Sequence, residues 1–498
     1  MSMSTQTVGA PTRAAVPDPG RWLALGVIAL AQLLIVLDAS IVNIALPTAQ
    51  HDLHITDANR QWVVTAYTLA FGGLLLLGGR IADFTGRKRA FIIGLLGFAA
   101  ASAVGGGAVN EGMLFVARGA QGAFAALMAP AALSLLTVTF TDARERARAF
   151  GVYGAIAGGG LAVGLLMGGV LTEYLSWRWC LLVSAPVAIV AALSALRFVK
   201  ESRAEGNTRY DIPGAVTSTV GLVALVYGFT KASSDGWTSA TTLSLLIGAA
   251  ALLVAFVVIE LRSKHPLLPM RVILDSNRGG SYLAALLVGV GMFGVFLFLT
   301  YYMQITLGYS ALMTGVAFLP FTVGIIVGAG LSAQILPRVG PRISMVTGLL
   351  LAAVGMALLT RIGVDTGYWS HILPAILVIS FGMGITFGPL SNTALVGVAN
   401  HDAGVASALV NTAQQIGGSL GTALLNTIAA SALTSYLAAH AKAGHPAAQV
   451  LAVGTVHSYT VAFWVSAGLI GLATLIAAVL IRARRDQLSA VEGVPAGM

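Results

Sequence analysis

Long apolar stretches occupy most of this chain and alternate with short polar segments. A helix needs about 20 apolar residues to cross a lipid bilayer. By that rule the sequence predicts an all-α integral membrane protein with fourteen transmembrane helices. They lie approximately at 22–46, 61–81, 90–109, 113–139, 149–172, 178–198, 213–231, 241–261, 280–305, 312–335, 343–362, 371–397, 404–432 and 458–481. Only 9% of the residues are charged, against about 25% in soluble domains.

The distribution of Lys and Arg predicts which side of the membrane each segment faces. Of the 28 basic residues, 22 fall in segments on the side of the N-terminus and five on the other side. Cytoplasmic loops carry such an excess, and an even number of spans places both termini together, so we expect both termini in the cytoplasm. The net charge of +9 is spread through short loops, which does not indicate a nucleic-acid partner.

The segment between predicted helices 2 and 3 reads GRIADFTGRKR over residues 79–89. Its glycines permit a tight turn, and its acid can pair with the basic residues that follow. The ordered string resembles the loop between helices 2 and 3 of the major facilitator superfamily, which implies a gating role for this loop. The residues that carry this resemblance are Gly79, Asp83, Gly86, Arg87, Lys88 and Arg89.

A weaker copy of this loop occurs at residues 333–342, where Gly340 matches Gly86. The offset of eight helices predicts two six-helix bundles with two extra central helices, and the resemblance implies that this is the major facilitator fold. The predicted units are listed in chain order: a disordered cytoplasmic tail (1–21), an N-terminal bundle (22–200), two inserted helices with flanking loops (201–278), a C-terminal bundle (279–482) and a second cytoplasmic tail (483–498).

Asp38 is an acid within predicted helix 1. An ionised carboxylate inside the bilayer is costly, so such acids usually face a cavity and have a function. Because desolvation disfavours the charged form, Asp38 can load and release a proton near neutral pH. The alternative is a carboxyl group that only hydrogen-bonds neighbouring helices. The string LDASIVNIALP over residues 37–47 resembles the helix-1 motif of the fourteen-helix drug:proton antiporters.

Arg118 lies inside predicted helix 4, in the string LFVARGAQG over residues 114–122. A guanidinium group does not lose its proton, so Arg118 needs a counter-charge, a carbonyl group or water. The alternative is an arginine at a helix end whose side chain reaches the membrane surface. The motif resembles the R-x-x-Q-G of superfamily exporters, which implies a role in proton movement. We expect Asp38 and Arg118 to be partners.

Predicted helix 5 carries glycines with a spacing of four residues. Such a stripe lets another helix pack closely, either as ordinary packing or as a surface that slides. The string over residues 160–169 resembles a helix-5 motif of the antiporters, which implies a role in the direction of transport. Its matching positions are Gly160, Gly164, Gly168 and Gly169, whereas Leu165 stands where the motif has proline.

Polar and aromatic residues on several predicted helices are candidates for lining a substrate pathway. Amides without partners are costly in lipid, so their faces should line the pathway or contact another helix. Aromatic rings can stack on a lipophilic or cationic drug, although such residues are more often packing residues. The candidates are Tyr67, Gln121, Phe124, Tyr301, Gln304, Asn411 and Gln415.

Together the motifs resemble those of the fourteen-helix drug:proton antiporter family. The resemblance implies a monomeric bacterial plasma-membrane exporter, driven by the proton gradient, that exchanges protons for an amphipathic drug, monocationic or neutral. We expect no enzyme activity, cofactor, metal or nucleic acid. No P-loop string occurs, so ATP drive is not expected. The alternatives are a permease that exports an endogenous metabolite, amino acid or lipid, and a membrane-embedded enzyme or sensor.

Overall fold

A computed structural model describes residues 20–483, apart from residues 58, 141, 204–210, 264–265, 267, 269, 399–402 and 441–446. Most of the two predicted tails, 1–21 and 483–498, therefore lies outside the described residues. Within the described part of the chain all regular structure is helical. Several helices continue through an internal proline, at Pro47, Pro130 and Pro389, and neighbouring helices in a bundle can satisfy the backbone groups that proline frees.

The helices follow one another with short connections. Their bounds are α1 Arg21–Asp52, α2 Trp62–Thr85, α3 Arg87–Gly106, α4 Glu111–Thr139, α5 Ala143–Tyr174, α6 Trp179–Leu182, α7 Ser184–Phe198, α8 Ile212–Asp235, α9 Ala240–Arg262, α10 Met270–Ile273, α11 Ser276–Tyr301, α12 Ala311–Ala317, α13 Leu319–Leu359, α14 Leu373–Leu395, α15 Ala403–His440 and α16 Ala447–Leu480. Single π-helical turns, Tyr302–Thr306 and Tyr368–Ile372, follow α11 and precede α14.

Eleven helices among the described residues are long and apolar enough to cross a membrane, or up to twelve if the two parts of α2 count as one span. The predicted spans 312–335 and 343–362 count once here, although the break at Gly340 inside α13 separates them. Helix α5, Ala143–Tyr174, is 32 residues long and is not among these eleven. An all-helical membrane protein is therefore observed, whereas the number fourteen stays a prediction.

The long helix α13 is broken at Gly340, which has φ 81° and ψ 169°. Gly86, between α2 and α3, also has a positive φ, of 116°. A positive φ is readily adopted only by glycine, so both loops need this residue for their turn. The weaker copy of the loop motif therefore repeats the backbone geometry of the first copy.

Helices α1–α7 pack mainly on one another and form the first helix group, and helices α10–α16 form the second. The segment of residues 79–89 lies at one end of the molecule, which is called the basic end. The opposite end is called the far end. Near the basic end, Ala24–Ile35 of α1 belong to an apolar cluster confined to the first group. Near the far end, Ile41–Ala49 belong to a cluster shared with the second group. The two groups are therefore joined at the far end.

The inserted helices α8 and α9 pack on each other, and α8 also contacts both helix groups. Thr230 of α8 accepts a hydrogen bond of 3.0 Å from Gln61, next to α2. Thr427 of α15 donates one of 2.9 Å to the carbonyl of Phe229 in α8. Helix α8 thus covers the junction of α2 and α15 in the far half of the molecule.

Candidate functional site

Asp38 and Arg118 form an ion pair inside the first helix group. Arg118 Nη1 donates to Asp38 Oδ2 over 2.6 Å, and their side chains are 0% and 1% exposed. Helix α1 supplies the acid and α4 supplies the base, so the pair joins two helices that are far apart in sequence. Breaking such a buried pair by removing one partner is strongly destabilising. The contact expected between the two residues is present, and their part in proton coupling stays a prediction.

Gln121 completes the arrangement around this pair. Its Oε1 accepts a 2.9 Å bond from Arg118 Nη1, and its Nε2 donates to Asp38 Oδ1 over 3.1 Å. Nε2 also donates to Ser102 Oγ of α3 over 2.8 Å. Gln121 follows Arg118 by three residues, so both side chains lie on one face of α4. Ser102 was not recognised in the sequence, because a lone serine in an apolar helix gives no signal of its partner.

Helix α2 covers the other side of Arg118. Arg118 Nε donates to the carbonyl of Val63 over 2.8 Å, and the Arg118 guanidinium carbon lies 4.6 Å from the centre of the Tyr67 ring. Tyr67 is fully buried. Both candidates Tyr67 and Gln121 therefore contact the ion pair. This conformation shields Asp38 from water, so solvent can reach its carboxyl group only if the helices around it rearrange.

The glycines of α5 form the surface on which α1 packs beside Asp38. A Cβ at Gly160 would lie 3.1 Å from Val36 Cγ1, and a Cβ at Gly168 would lie 2.9 Å from the carbonyl of Ile41. At Gly164 the added atom would lie 1.9 Å from Ser40 Oγ. The glycine stripe thus brings the backbone of α5 close to the segment of α1 that carries the acid.

The far half of α5 also touches the second helix group. A Cβ at Gly169 would lie 2.6 Å from Leu312 Cα of α12. The carbonyl of Leu165 would lie 2.5 Å from a Cβ at Gly315. Glu173 accepts a 2.9 Å bond from the Leu312 N–H. Because Leu165 replaces the motif proline, α5 continues without interruption through this contact.

The segment of residues 79–89, in which Gly86 joins α2 to α3, contacts other residues of the first helix group. Asp83 Oδ1 accepts a 2.8 Å bond from Arg87 Nε within the loop. Glu201, after α7, accepts a 3.0 Å bond from the backbone N–H of Lys88 and lies 3.8 Å from Arg89 Nε. Its carboxyl atoms would lie 2.9 Å from a Cβ at Gly86. Sequence reasoning missed Glu201, whose only signal was an acid beside a basic loop.

The remaining candidates do not form a single site. Phe124 packs against α3, where a Cβ at Gly97 would lie 2.2 Å from its ring. Gln304 donates over 3.1 Å to the carbonyl of Ile44, and Asn411 is exposed. Gln415 packs at Gly72 of α2. Within the described residues, no cluster of three or more His, Cys, Asp or Glu side chains is arranged to bind a metal ion.

Polar bonds between α2 and α15 close the far end, and sequence reasoning missed them too. The hydroxyls of Thr65 and Thr422 are 2.9 Å apart, and those of Thr68 and Ser419 are 2.7 Å apart. All four side chains are buried. On each helix the two hydroxyl-bearing residues are three positions apart and lie on one face. This polar stripe was the sequence pattern that could have indicated the contact between α2 and α15.

A buried ion pair between helices, glycine-mediated helix packing and two helix groups joined at one end are typical of a helical membrane transporter built from two bundles. Residues 28–422 match the family model of the Major Facilitator Superfamily, and the chain belongs to that superfamily. Membership indicates a transporter rather than an enzyme.

The comparisons with known proteins also identify similar antibiotic transporters. The puromycin resistance protein pur8 of Streptomyces alboniger is 53% identical over 473 residues, which cover 94% of this chain and 93% of the relative. The cephamycin export protein CmcT of Amycolatopsis lactamdurans is 40% identical, covering 80% of this chain and 83% of that protein. The relatives include antibiotic resistance and export proteins, and they imply a bacterial plasma membrane.

A solved structure supports the fold. The inward-facing, unoccupied bacterial homologue of the human lysosomal transporter Spinster has a TM-score of 0.62 and 16% sequence identity. The match covers 93% of this chain and 98% of that structure. At this identity the likeness concerns the fold alone.

Proposed function

We propose that this protein is a proton-coupled exporter that exchanges an external proton for a cytoplasmic drug or antibiotic. The observation that carries the proposal is the buried contact of Asp38 with Arg118 and Gln121. A carboxylate in this position is the one group of the site that can gain and lose a proton, since guanidinium and amide groups keep theirs. The names of the relatives support drugs or antibiotics as the cargo.

The orientation follows from the charge distribution. The basic end faces the cytoplasm, both termini are cytoplasmic, and fourteen helices span the membrane. The far end is then external, and the closed contacts between α2 and α15 there correspond to an inward-facing state. Residues 22–200 and 279–482 act as the two moving bundles, and residues 201–278 carry the inserted pair.

The cycle starts with Asp38 ionised and paired with Arg118. When the far end opens, water reaches the pair and an external proton neutralises Asp38, which weakens its attraction to Arg118. The segment of residues 79–89 closes the basic end through Asp83 and its arginines before the far end opens, and the bound drug leaves through the open far end. Return to the inward-facing state releases the proton to the cytoplasm as substrate binds. Each charge moved down 100 mV contributes about 2.3 kcal/mol, and each pH unit about 1.4 kcal/mol.

The expected cargo is an amphipathic compound that is monocationic or neutral. A divalent cation would favour additional acids within the spans of the second helix group, and the sequence of those predicted spans contains none. No cofactor is needed, because the proton gradient supplies the energy, and a monomer suffices for the cycle.

The test is drug uptake into everted membrane vesicles with an imposed pH gradient. We expect Asp38→Asn to lose gradient-driven uptake and to retain exchange of labelled for unlabelled drug, which needs no net proton movement. Asp52→Asn is the matched control, because Asp52 ends the same helix and pairs with Arg178 at the surface. Unchanged gradient-driven uptake in Asp38→Asn would remove Asp38 from the mechanism.

The second candidate function is export of an endogenous compound such as a metabolite, an amino acid or a lipid. The relative named a cephamycin export protein favours this possibility. A drug-susceptibility panel in a pump-deficient host separates the two functions. A drug exporter raises the inhibitory concentration of at least one compound that the source organism does not make, whereas a dedicated permease raises none.

A further inference from the structure

Arg60, just before α2, inserts its side chain into the second helix group at the far end. Its guanidinium carbon lies 4.2 Å from the centre of the Tyr301 ring in α11. Its Nε donates to Asn426 Oδ1 of α15 over 3.3 Å. The Arg60 side chain is only 10% exposed. A positive charge from the first helix group thus sits in a pocket built by the second group.

The pocket consists of uncharged groups that suit a cation. Tyr301 and Asn426 are 1% and 2% exposed. Tyr459 of α16 is 3% exposed, and its hydroxyl lies near the same guanidinium. A tyrosine ring face and an amide oxygen both attract positive charge. Three helices of the second group therefore supply a cation-binding cage.

The counter-ion of Arg60 belongs to the first helix group instead. Asp57 Oδ1 accepts a 3.3 Å bond from Arg60 Nη1. When the two groups separate at the far end, Asp57 can move with Arg60 and keep it paired. The Arg60 guanidinium then leaves the cage. The hydrogen bond that the Tyr301 hydroxyl donates to Gln50 Oε1 of α1 is also broken. Polar groups uncovered in this way need a new partner.

We propose that Tyr301, Tyr459 and Asn426 form an exit site for the positively charged head of an organic monocation, which Arg60 fills whenever the far end is closed. The proposal rests on the proposed function, which gives the direction of substrate transport, from the cytoplasm to the outside. With the far end open, the cationic head contacts the cage on its way out. Return of Arg60 then displaces the cation and prevents its re-entry. The lack of an acid within the cage keeps the binding weak, which suits release.

The cage can be tested without transport. In purified Arg60→Ala the pocket is vacant, and we expect choline to raise the thermal unfolding midpoint in a saturable manner. Its uncharged isostere 3,3-dimethylbutan-1-ol should have no such effect, and choline should not stabilise the wild type, whose cage is filled. Adding Tyr301→Leu to Arg60→Ala should abolish the choline effect. Equal stabilisation by both compounds, or none by choline, would overturn the proposal.

A second measurement does not depend on recovering Arg60→Ala. In everted vesicles, Tyr301→Leu should slow transport of the cation ethidium relative to the neutral dye Nile red by about threefold to tenfold, since one ring face is lost. Tyr301→Phe retains the ring and should stay close to wild type. An equal loss for both dyes would show a structural role only and would contradict the exit site. If the susceptibility panel shows no exported drug, the proposed drug export fails, while the choline experiment still decides on the cage.

Discussion

At the scale of single residues, Asp38 and Arg118 form a fully buried ion pair in the first helix group. Both side chains are fully enclosed, so each depends on the other for its stability. Removing one member of a buried pair leaves an uncompensated charge, whereas removing both charges is often tolerated. The pair therefore couples the stability of the bundle to the charge of Asp38.

Arg118→Met should lower the free energy of unfolding by about 3–5 kcal/mol, because Asp38 is left buried and unpaired. Combining it with Asp38→Asn should restore part of that loss, since the remaining side chain is neutral. Thermal unfolding in detergent measures both variants. A double variant less stable than Arg118→Met alone would contradict this account of the pair.

Ser102→Ala should remove the hydrogen bond that Gln121 Nε2 donates to the Ser102 hydroxyl. This bond orients the Gln121 amide toward both Asp38 and Arg118. The expected loss of stability is about 1 kcal/mol. We also expect a changed pH profile of drug transport, which a purely structural serine would not alter. Thr137→Ala serves as the control, because Thr137 is exposed and bonds only within α4. Identical pH profiles for both variants would exclude a positioning role.

At the scale of secondary-structure elements, α5 connects the site to the junction of the two helix groups. Its glycines approach α1 beside Asp38, and Gly169 approaches α12 of the second group. One helix thus contacts both the acid-bearing helix and the opposite bundle. A displacement of α5 can therefore relate the state of Asp38 to closure of the far end.

Gly169→Ala should destabilise the closed far end, because its Cβ would lie 2.6 Å from Leu312 Cα, a backbone atom. Such overpacking costs about 1–3 kcal/mol, which corresponds to a population shift of about fivefold or more. The measurement is labelling of a Thr65→Cys reporter by an impermeant maleimide, which should be faster in the variant. Gly159→Ala is the control, since a Cβ there meets no atom within 4 Å. Equal labelling rates in the two variants would refute this role of Gly169.

At the scale of the whole molecule, the two helix groups share an apolar cluster near the far end, whereas an apolar cluster near the basic end is confined to the first group. Hydroxyl pairs between α2 and α15 and the insertion of Arg60 reinforce the closed end. The inserted helix α8 covers the same junction from outside. Opening the far end must break these contacts together, which suits a transition between two discrete states.

A disulfide across the closed end should arrest the cycle. Thr65→Cys with Thr422→Cys replaces two hydroxyls that are 2.9 Å apart, in a background where Cys180, the single native cysteine, is Ser. Oxidation should abolish drug transport and reduction should restore it, whereas each single cysteine variant stays insensitive. Full transport by the oxidised double variant would show that α2 and α15 need not separate.

Much of the site could be predicted from local sequence patterns. A charged residue inside an apolar helix stands out because desolvation is costly, so Asp38 and Arg118 were recognisable and their need for partners pointed to each other. The positive φ at Gly86 follows from a tight loop that only glycine permits. By contrast, Ser102, Glu201, Arg60 and the hydroxyls of α2 and α15 have ordinary sequence surroundings. Their roles depend on which helices become neighbours.

The sequence by itself determined that this chain is a helical membrane protein of the Major Facilitator Superfamily, because apolar length and short motifs are local properties. Its predicted count of fourteen spans depends on where each helix begins and ends, and the break at Gly340 inside α13 shows that one long helical stretch can hold two predicted spans. Only the tertiary structure decided that Asp38 is enclosed by Arg118 and Gln121 and that the far end is closed. The physical reason is that burial and hydrogen bonding between helices arise from packing of segments far apart in the chain.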